Sequence, residues 1–411
     1  MNGMGEQIFS GVRVLDLTWH ISGPYCTKVF ADYGADVIKV ERPGEGDPAR
    51  RMGPFWQDDP HPEKSLLFSN LNLNKRGITL NLKNEAGREL LLELAHKADI
   101  LVESFRPGVM ERLGLGYETL KAVNPRLVVT AVSNFGQTGP YRDYELSELV
   151  LNGFHSMINC GEPDRYPLKK GGYACLHQGG LVAALATLAA YWCATEQGLG
   201  QYLDVSLMET QAGDVDRKTV DMVCWTYSGR IVYDYRPGAD TWRANHIMPS
   251  GIFPCADGFL ASFPILTHWP RFAALMKDAH PELEKLRFPE DMFDLDTKGE
   301  MDIIWYEWLA GKTKREAMEA CQAVKWFGTA VNTPADAVED PQFLGRGFWV
   351  QAEHPVTGRQ TYPGAPVQVG EGSWQVRRPA PLLGEHNAEV YGRELGRSEP
   401  QIQALIENGV I

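Results

Sequence analysis

The chain has 411 residues, of which 44% are hydrophobic and 23% are charged, with 41 glycines and 26 prolines. This length exceeds what one hydrophobic core usually fills, so two domains are expected, and the composition is that of a globular enzyme rather than a disordered or fibrous chain. The formal net charge of -13 argues against nucleic acid or an anionic membrane as the main partner, so a polyanionic ligand requires a local basic patch.

The first part of the chain alternates β-branched runs with helical patterns, which is typical of a doubly wound α/β domain. Strands are predicted at residues 12–17, 36–40, 78–82, 100–104 and 127–133. A helix is predicted at 24–33, where a proline opens it and Gly34 closes it. A second helix begins after the N-cap residue Asn84 and runs to about residue 97.

A helix over 180–195 and a strand over 201–207 extend the same domain. Strands then become short, Pro and Trp become frequent, and residues 303–311 have a helical pattern, which together predict a smaller α+β domain. The predicted organisation is a large α/β domain over 1–229, a small α+β domain over 230–342, and a segment over 343–411 that returns to the large domain and ends in an amphipathic helix.

Compartment is predicted from the cysteines and from the apolar stretches. The seven cysteines are odd in number and never spaced as C-x-x-C, which favours reduced thiols in the cytoplasm. The N-terminus lacks an apolar run behind a basic start, and the longest apolar stretch, 181–194, is shorter than a bilayer span. The sequence therefore predicts a cytoplasmic protein without a membrane segment.

Several common catalytic motifs are absent from the sequence. The first strand leads into WHISGP instead of G-x-G-x-x-G, which argues against a dinucleotide site. Walker, H-E-x-x-H and G-x-S-x-G motifs are also missing, so NTPase, metalloprotease and α/β-hydrolase readings lose their usual support. No metal site is predicted.

Other sequence blocks carry a resemblance to a known family. They include VLDLTWHISGP, GADVIKVERPG followed by NLNKRGITLNLK, ADILVESFRPG, GLGQYLDVSLMET and RRPAPLLGEHN. In this order they resemble the class III CoA-transferase family, of the formyl-CoA and carnitine type. The blocks extend from about residue 12 to residue 411, so the resemblance covers nearly the whole chain.

The resemblance implies a doubly wound large domain, a smaller α+β domain, and two chains threaded through each other as interlocked rings. Members move CoA from a donor thioester to an acceptor carboxylate, with CoA thioesters as substrates and no tightly bound cofactor. An aspartate attacks the thioester, forms a mixed anhydride, and is then converted to an enzyme–CoA thioester. Related racemases instead remove a proton beside the thioester carbonyl with a His and Asp pair.

The family's CoA contacts carry over onto residues that supply the basic patch. Arg42 is expected to meet the adenosine phosphates, because a planar guanidinium binds phosphate bidentately. The other implied CoA-binding residues are Leu80, Lys83, Ser104, Phe105, Arg106 and Arg112. The alternative for each Arg or Lys taken alone is a solvated surface charge. Trp19 and His20 are expected only to shape the mouth of the pocket.

The sequence departs from the family pattern at the reactive position. Leu176 stands where the family keeps its aspartate nucleophile, and leucine has no lone pair with which to attack a thioester. The racemase histidine, expected just before Glu148, is Ser147. Ser104 replaces the usual asparagine, and Glu145 replaces a lysine found in some members. The resemblance therefore implies no catalytic residue in this chain.

Three other residues remain weak catalytic candidates. Cys175 and His177 flank Leu176, and a thiolate beside an imidazole is a workable nucleophile, although such residues at an apolar helix start are more often core fillers. Glu148 matches a carboxylate that assists the aspartate in some members.

Three hypotheses remain for the whole chain. It is a subunit whose paralogous partner supplies the aspartate across the interface, a self-sufficient acyl-CoA enzyme using Cys175, His177 or Glu148, or a CoA-thioester-binding protein without turnover. The first is favoured, because it reconciles a nearly complete family scaffold with the missing nucleophile. Among members with two unlike subunits, the chain most resembles those that act on an aromatic dicarboxylate with succinyl-CoA as donor.

Overall fold

The structure is a computed structural model that describes residues 7–154, 169, 171–212, 223, 225–229, 248–263, 266–287, 290–291, 295–364, 366–369 and 374–411. Its contacts divide the described residues into a larger unit, from 7–223 and 345–411, and a smaller unit within 225–344. The predicted domain boundary at residue 230 lies outside the described residues.

The larger unit is built on a parallel sheet. Its strands are β1 (Arg13–Leu17), β2 (Asp36–Glu41), β3 (Arg76–Thr79), β4 (Ile100–Glu103), β5 (Val128–Ser133) and β6 (Tyr202–Ser206). These six strands have the order β3-β2-β1-β4-β5-β6, and every neighbouring pair is parallel. The strand order reverses between β1 and β4, which is the switch point of a doubly wound sheet. The predicted α/β fold class is confirmed.

Helices cover both faces of this sheet. They are α1 (Ser22–Asp32), α2 (Leu66–Leu71), α3 (Glu85–His96), α4 (Val109–Arg112), α5 (Tyr117–Val123), α6 (Glu148–Phe154), α7 (Ala174–Gln197) and α8 (Leu207–Ala212). Successive side chains of β1 enter opposite cores, because side chains alternate across a strand. Leu15 lies in one core with Leu91 of α3, while Val14 lies in the other with Phe30 of α1 and Ala183 of α7.

Helix α7 begins earlier than the sequence predicts, at Ala174 rather than at residue 180. The predicted first residue, Gly180, lies inside the helix, where it and Gly179 make close contacts. A β-carbon on Gly180 would lie 2.4 Å from the Ser22 carbonyl oxygen of α1, and one on Gly179 would lie 2.5 Å from Leu207. The glycines therefore allow close approach of neighbouring elements and do not end the helix.

Helix α7 is longer than the apolar stretch over 181–194 that the sequence indicated, so the prediction that this segment is shorter than a bilayer span was wrong. The helix has 24 residues, and an 18-residue stretch of it has a mean hydropathy of 1.3. It is therefore long and apolar enough to cross a membrane, and it is the one such helix among the described residues. Length and composition also fit the core helix of a globular protein. Its contacts favour the second description, because Ala183, Ala190 and Ala194 are buried in the core shared with α1 and the sheet.

Strand β3 lies nearer the N-terminus than the predicted strand over 78–82. Arg76 belongs to the strand because ion pairs with Asp36 and Glu394 compensate its charge. Beyond Thr79 the chain leaves the sheet, and the Asn81 amide donates a hydrogen bond to the Val410 carbonyl. The alternating apolar pattern of ITLNL, residues 78–82, therefore extends beyond the last residue of β3, and the predicted strand ends too late.

The smaller unit combines a short antiparallel sheet with helices, as expected for an α+β domain. Its elements are β7 (Gly251–Pro254), β8 (Phe259–Ser262), α9 (Trp269–Met276), α10 (Leu295–Ala310), α11 (Lys314–Ala323), β9 (Gly328–Ala330) and α12 (Pro334–Glu339). The sheet order is β7-β8-β9. Trp305, Trp326 and Phe272 are fully buried at the centre of its core.

The C-terminal segment from residue 345 belongs to the larger unit, and α13 (Pro341–Gly345) precedes it at the end of the smaller unit. The segment contains the hairpin β10 (Trp349–His354) and β11 (Gly358–Pro363), a π-helix (Ala388–Glu394) and α14 (Glu399–Glu407). Backbone amides of Gly77 and Thr79 donate to the side chains of His386 and Asn387, and the Tyr391 hydroxyl donates to the Thr79 carbonyl. These bonds cover β3, which is an edge strand of the sheet.

Candidate active site

A cavity of about 480 Å³ lies at the carboxyl edge of the sheet, beside the switch point between β1 and β4. We call it the first cavity. The residues that matter for its chemistry are Leu17, Trp19, Arg42, Leu80, Lys83 and Phe105. Ligands of doubly wound sheets bind in this position, outside the carboxyl ends of the strands. The first cavity is therefore a candidate ligand site.

Trp19 organises one wall of the first cavity. The Arg42 guanidinium carbon lies 4.2 Å from the centre of the Trp19 ring, and Phe105 meets that ring edge-on with centroids 5.5 Å apart. The Trp19 amide donates to Ser104 Oγ at 2.8 Å, and Arg42 forms an exposed ion pair with Glu45 at 3.2 Å. A stacked guanidinium keeps its N–H groups available, so this wall can present Arg42 to an anion.

Buried charges hold the loop that carries Trp19. His20 has a left-handed φ of 65°, and its amide donates to Asp47 Oδ1 at 3.0 Å. Lys39 Nζ donates to the Thr18 carbonyl at 2.8 Å and lies 2.9 Å from Asp47 Oδ2, and both of these charged side chains are fully buried. A non-glycine residue persists in this backbone region only when its surroundings impose it. Lys39 and Asp47 therefore position the Trp19 loop.

A second buried pair lies beneath the same loop. Lys75 Nζ donates to Asp16 Oδ2 at 2.9 Å, and Asp16 also accepts from the Thr18 amide. Burial alone would raise the pKa of Asp16, but Lys39 and Lys75 outweigh it and the pKa falls well below its usual range. Burial lowers the pKa of Lys75 to about 8 despite the attraction of Asp16. Asp16 is therefore a charged anchor of the loop.

A second cavity, of about 270 Å³, follows the ends of β4 and β5 and shares Phe105 with the first. Its lining includes Ser104, Arg106, Arg112, Ser133, Arg142 and Glu145. Arg106 forms an ion pair with Glu145, and both side chains are largely exposed. The two cavities together offer arginines on a continuous set of loops, which suits a ligand with separated anionic groups.

Glu103 ends β4 directly below the segment shared by the two cavities. Its side chain is buried, and Oε2 accepts a hydrogen bond from the Phe105 amide at 2.7 Å. Burial raises the pKa of Glu103 to about 8, with smaller contributions from Glu111 and Asp204, while the bond from Phe105 opposes the shift. Glu103 is therefore protonated at neutral pH in this environment.

The junction between α6 and α7 contains the position expected for the nucleophile. Leu176 lies in the first turn of α7, half-buried against the core shared with α1. Glu148 of α6 is buried, and its two carboxylate oxygens accept hydrogen bonds from the amides of Cys175 and Leu176, each at 3.0 Å. A carboxylate at a helix N-terminus satisfies orphan amides and favours the helix dipole. Glu148 caps α7 from outside the helix.

The two residues beside Leu176 are held by other contacts. Cys175 is only 1% exposed, and its carbonyl accepts from Gln211. His177 Nδ1 donates to the Tyr173 carbonyl at 2.7 Å, and its ring meets Tyr25 edge-on. The His177 contacts are those of a side chain that completes the start of a helix, and the Cys175 side chain is buried.

The seven implied CoA-binding residues all line a cavity. Arg42, Leu80 and Lys83 line the first, Phe105 lines both, and Ser104, Arg106 and Arg112 line the second. Cys175, Leu176, His177 and Glu148 are instead together at the start of α7. Among the residues that the structure describes, no group of three or more His, Cys, Asp or Glu side chains is placed to hold a metal ion.

Sequence reasoning missed the residues that support the cavities. Lys39 and Asp16 lie among apolar residues in buried strands. A charged side chain in such a strand indicates an ion pair with another buried group. Glu103, at the end of ILVE, carries the same signal. Arg142 and Ser133 were missed because nothing local to GPYRD or VVTAVS distinguishes a cavity-lining polar residue from a loop or strand residue.

Comparisons with known proteins agree with the geometry. The sequence profile of CoA-transferase family III matches residues 9–387. Succinyl-CoA:(R)-benzylsuccinate CoA-transferase subunit BbsE of Thauera aromatica is 33% identical over 420 residues, covering 99% of each chain. Formyl-CoA:oxalate CoA-transferase of Bradyrhizobium diazoefficiens is 30% identical, covering 98% of this chain and 97% of that protein.

A solved structure extends this likeness to the fold. The crystal structure of a CAIB/BAIF family protein from Brucella suis superposes with a TM-score of 0.80 at 26% identity, covering 95% of this chain and 100% of that chain.

Proposed function

This chain belongs to CoA-transferase family III, and we propose that it is the subunit of a heteromeric CoA-transferase that does not supply the nucleophile. In this role it assembles with a paralogous chain that carries the family aspartate. The complex moves CoA from an acyl-CoA donor, succinyl-CoA, to a carboxylic acid of the aromatic dicarboxylate class, such as benzylsuccinate. CoA thioesters are substrates here, and no tightly bound cofactor is needed.

The observation that carries this proposal is Leu176 in an otherwise complete family scaffold. Its side chain is aliphatic and packs against the core, so it has no atom that could attack a thioester. Glu148, the nearest carboxylate, uses both oxygens to accept backbone amides at the start of α7. Both observations support a site whose attacking carboxylate comes from another chain.

The two cavities support a retained role in CoA binding. Arg42 at the first cavity and Arg106 and Arg112 at the second provide cationic groups for a ligand with separated phosphates. Leu80 and Phe105 provide apolar surface for the adenine and pantetheine parts. The basic patch that the acidic composition required is therefore available locally.

The chemistry proposed for the complex is a sequence of acyl transfers. The partner's carboxylate attacks the carbonyl carbon of the donor thioester, the carbon–sulfur bond breaks, and CoA leaves as a thiolate. The thiolate then attacks the enzyme's side of the mixed anhydride, which releases the donor acid and leaves an enzyme–CoA thioester. The acceptor carboxylate repeats these steps in reverse order, so CoA ends on the acceptor. This chain's residues hold and orient CoA meanwhile.

Exposed apolar surface supports assembly with another chain. Leu185 and Trp192 of α7 are each 68% exposed, and Leu181 is 52% exposed. Large exposed apolar groups on one helix are typical of a surface that contacts a partner. We assign this surface to the paralogous subunit, and we place the complex in the cytoplasm, with neither nucleic acid nor membrane as a partner.

The proposed identity of the substrates rests on similarity to subunit BbsE. That protein's name specifies succinyl-CoA as donor and (R)-benzylsuccinate as acceptor. A transfer assay with succinyl-CoA and a panel of aromatic and aliphatic dicarboxylates tests this assignment. Preference for aliphatic acids such as oxalate would contradict it while leaving the CoA-transferase activity intact.

Trapping of the covalent intermediate tests which chain reacts. The complex is incubated with acyl-CoA and hydroxylamine, which converts an enzyme thioester to a stable hydroxamate, and both chains are examined by mass spectrometry. We expect the modification on the partner's aspartate alone. A hydroxamate on Glu148 would instead establish the self-sufficient alternative. Acylation of Cys175 or His177 would do the same, and it is looked for in a parallel reaction without hydroxylamine, which removes acyl groups from a thiol or an imidazole.

A further inference from the structure

The second cavity is lined by more cationic side chains than carboxylates. Three arginines, Arg106, Arg112 and Arg142, line it together with the carboxylates Asp143 and Glu145. Arg106 forms an ion pair with Glu145, in which the side chains are 76% and 73% exposed, and Arg142 forms a longer ion pair with Asp143 at 3.5 Å. The first pair links the segment after β4 to the loop before α6, and it occupies Arg106.

The other two arginines converge on one point. A β-carbon placed on Gly108 would lie 3.2 Å from Arg112 Nη1 and 3.6 Å from Arg142 Nη2. Gly108 has a left-handed φ of 77°, so a side chain is disfavoured there and the approach stays open. The two guanidinium groups therefore lie near each other, and an anion between them would reduce the repulsion of their like charges.

Two buried polar atoms at this cavity also lack partners. Ser133 Oγ and Arg142 Nε are buried without a hydrogen-bond partner among the described residues, although Arg142 Nε forms an ion pair with Asp143 at 3.5 Å. Arg112, by contrast, is an exposed residue. Buried polar groups are normally satisfied, so Ser133 Oγ and Arg142 Nε are the two atoms here that a hydrogen-bonding ligand would satisfy.

We propose that Glu145 is an internal competitor for the anionic part of CoA at the second cavity. It holds Arg106, and Arg112, Arg142 and Ser133 provide the anion contacts instead. The inference rests on the proposed CoA-transferase function and concerns how tightly the second cavity of this chain binds CoA. An anion that contacts Arg106 must first break the ion pair with Glu145, so the second cavity binds CoA more weakly than its three arginines would allow.

Calorimetric titration of the full-length chain with CoA tests this directly. Glu145→Gln removes the competing charge at nearly constant size, and we expect it to tighten CoA binding roughly three- to tenfold, because an exposed ion pair is weak and a freed arginine gains a charge-assisted contact. Glu196→Gln is the matched control, since it removes an exposed carboxylate from the end of α7. It should leave CoA affinity unchanged within about twofold.

Arg106→Gln is made in the wild-type chain and in the Glu145→Gln chain. The pair of variants distinguishes competition by Glu145 for Arg106 from a general effect of net charge on CoA affinity. In the wild-type chain we expect Arg106→Gln to change CoA affinity by less than about twofold, because Arg106 is already paired. In the Glu145→Gln chain it should abolish the gain. Arg142→Gln should weaken binding about tenfold in either background.

Measurable CoA binding by the Glu145→Gln variant, when binding by the wild-type chain is too weak to measure, would support the inference strongly. Three results would overturn it: equal effects of Glu145→Gln and Glu196→Gln, equal losses from Arg106→Gln in both backgrounds, or no CoA binding by the wild-type chain and the Glu145→Gln variant alike. The proposed function is judged separately, by covalent trapping on the partner, and stands if the trapped aspartate is found while Glu145→Gln has no effect.

Discussion

The first cavity and the start of α7 use buried charge in opposite ways. At the first cavity, Asp16, Lys39, Asp47 and Lys75 are paired with one another and fix the loop that presents Trp19 and Arg42 to the cavity. At the start of α7, Glu148 has both oxygens directed at backbone amides. Buried charge fixes a cavity loop in the first region and completes the start of a helix in the second. Under the proposed function, binding and nucleophilic attack are carried by different chains of one fold.

The largest effect is expected at the buried pair of the first region. Lys75→Met leaves Asp16 charged and buried without its partner, so the free energy of unfolding should fall by about 3–5 kcal/mol. Urea denaturation followed by circular dichroism measures this loss. Lys121→Met, at an exposed position of α5, is the control and should change the stability little. A loss below about 1 kcal/mol for Lys75→Met would show that the pair does not anchor the loop.

Glu148 tests the second region. Glu148→Ala leaves two amides at the start of α7 without an acceptor, so we expect the free energy of unfolding to fall by about 2–3 kcal/mol, while Glu148→Gln should lose less because its amide oxygen still accepts. Transfer activity per folded complex should stay within about threefold of wild type for Glu148→Gln. A stable variant with activity reduced by about a thousandfold would instead identify Glu148 as a catalytic group.

Glu103, whose carboxylate accepts from the Phe105 amide, makes stability depend on pH. Its folded pKa of about 8 exceeds the usual 4.5, so its contribution to stability is complete below pH 4.5 and is lost as pH rises through 8. Glu103→Gln imitates the protonated form. We expect it to be about 1–2 kcal/mol more stable than wild type at pH 9, with no difference at pH 4. Parallel stability profiles from pH 4 to 9 would contradict this assignment.

Arg42 tests ligand binding in the first region without disturbing the fold. The side chain is 50% exposed, so Arg42→Ala should barely change the stability but should weaken CoA binding about tenfold, through loss of a phosphate contact. Isothermal titration measures the affinity. Arg315→Ala removes an exposed arginine of the smaller unit and serves as the charge control. Equal affinities for the two variants would remove Arg42 from the site.

The sequence predicts elements best where local pattern and tertiary context agree. Strands β1, β2, β4, β5 and β6 and helix α3 lie close to their predicted bounds, and Asn84 caps α3 by accepting from the Ala86 amide. The start of α7 was predicted wrongly, because its cap is Glu148, far away in sequence. Strand β3 was displaced because the ion pairs of Arg76 come from other segments. Long-range partners decided both cases.

The residues of the candidate site likewise fall into those that the sequence predicts and those that only the fold brings together. Motif resemblance identified Arg42, Lys83, Phe105 and Arg112, and each of them lines a cavity. The loop supports could not be assigned from the sequence, because Lys39 and Asp47 meet only when β2 and the following turn are folded. The convergence of Arg112 and Arg142 at Gly108 likewise depends on a loop whose path no local pattern specifies. Resemblance transfers single positions, whereas pairings require the fold.

Co-expression with a paralogue that carries aspartate at the position aligned with Leu176 tests the central claim most directly. CoA transfer is measured for the complex, for each chain alone, and for complexes with the partner's aspartate changed to alanine or with Leu176→Ala in this chain. We predict activity only in the complex, lost with the partner's variant and retained with Leu176→Ala. Turnover by this chain alone, or by the complex without that aspartate, would contradict the account.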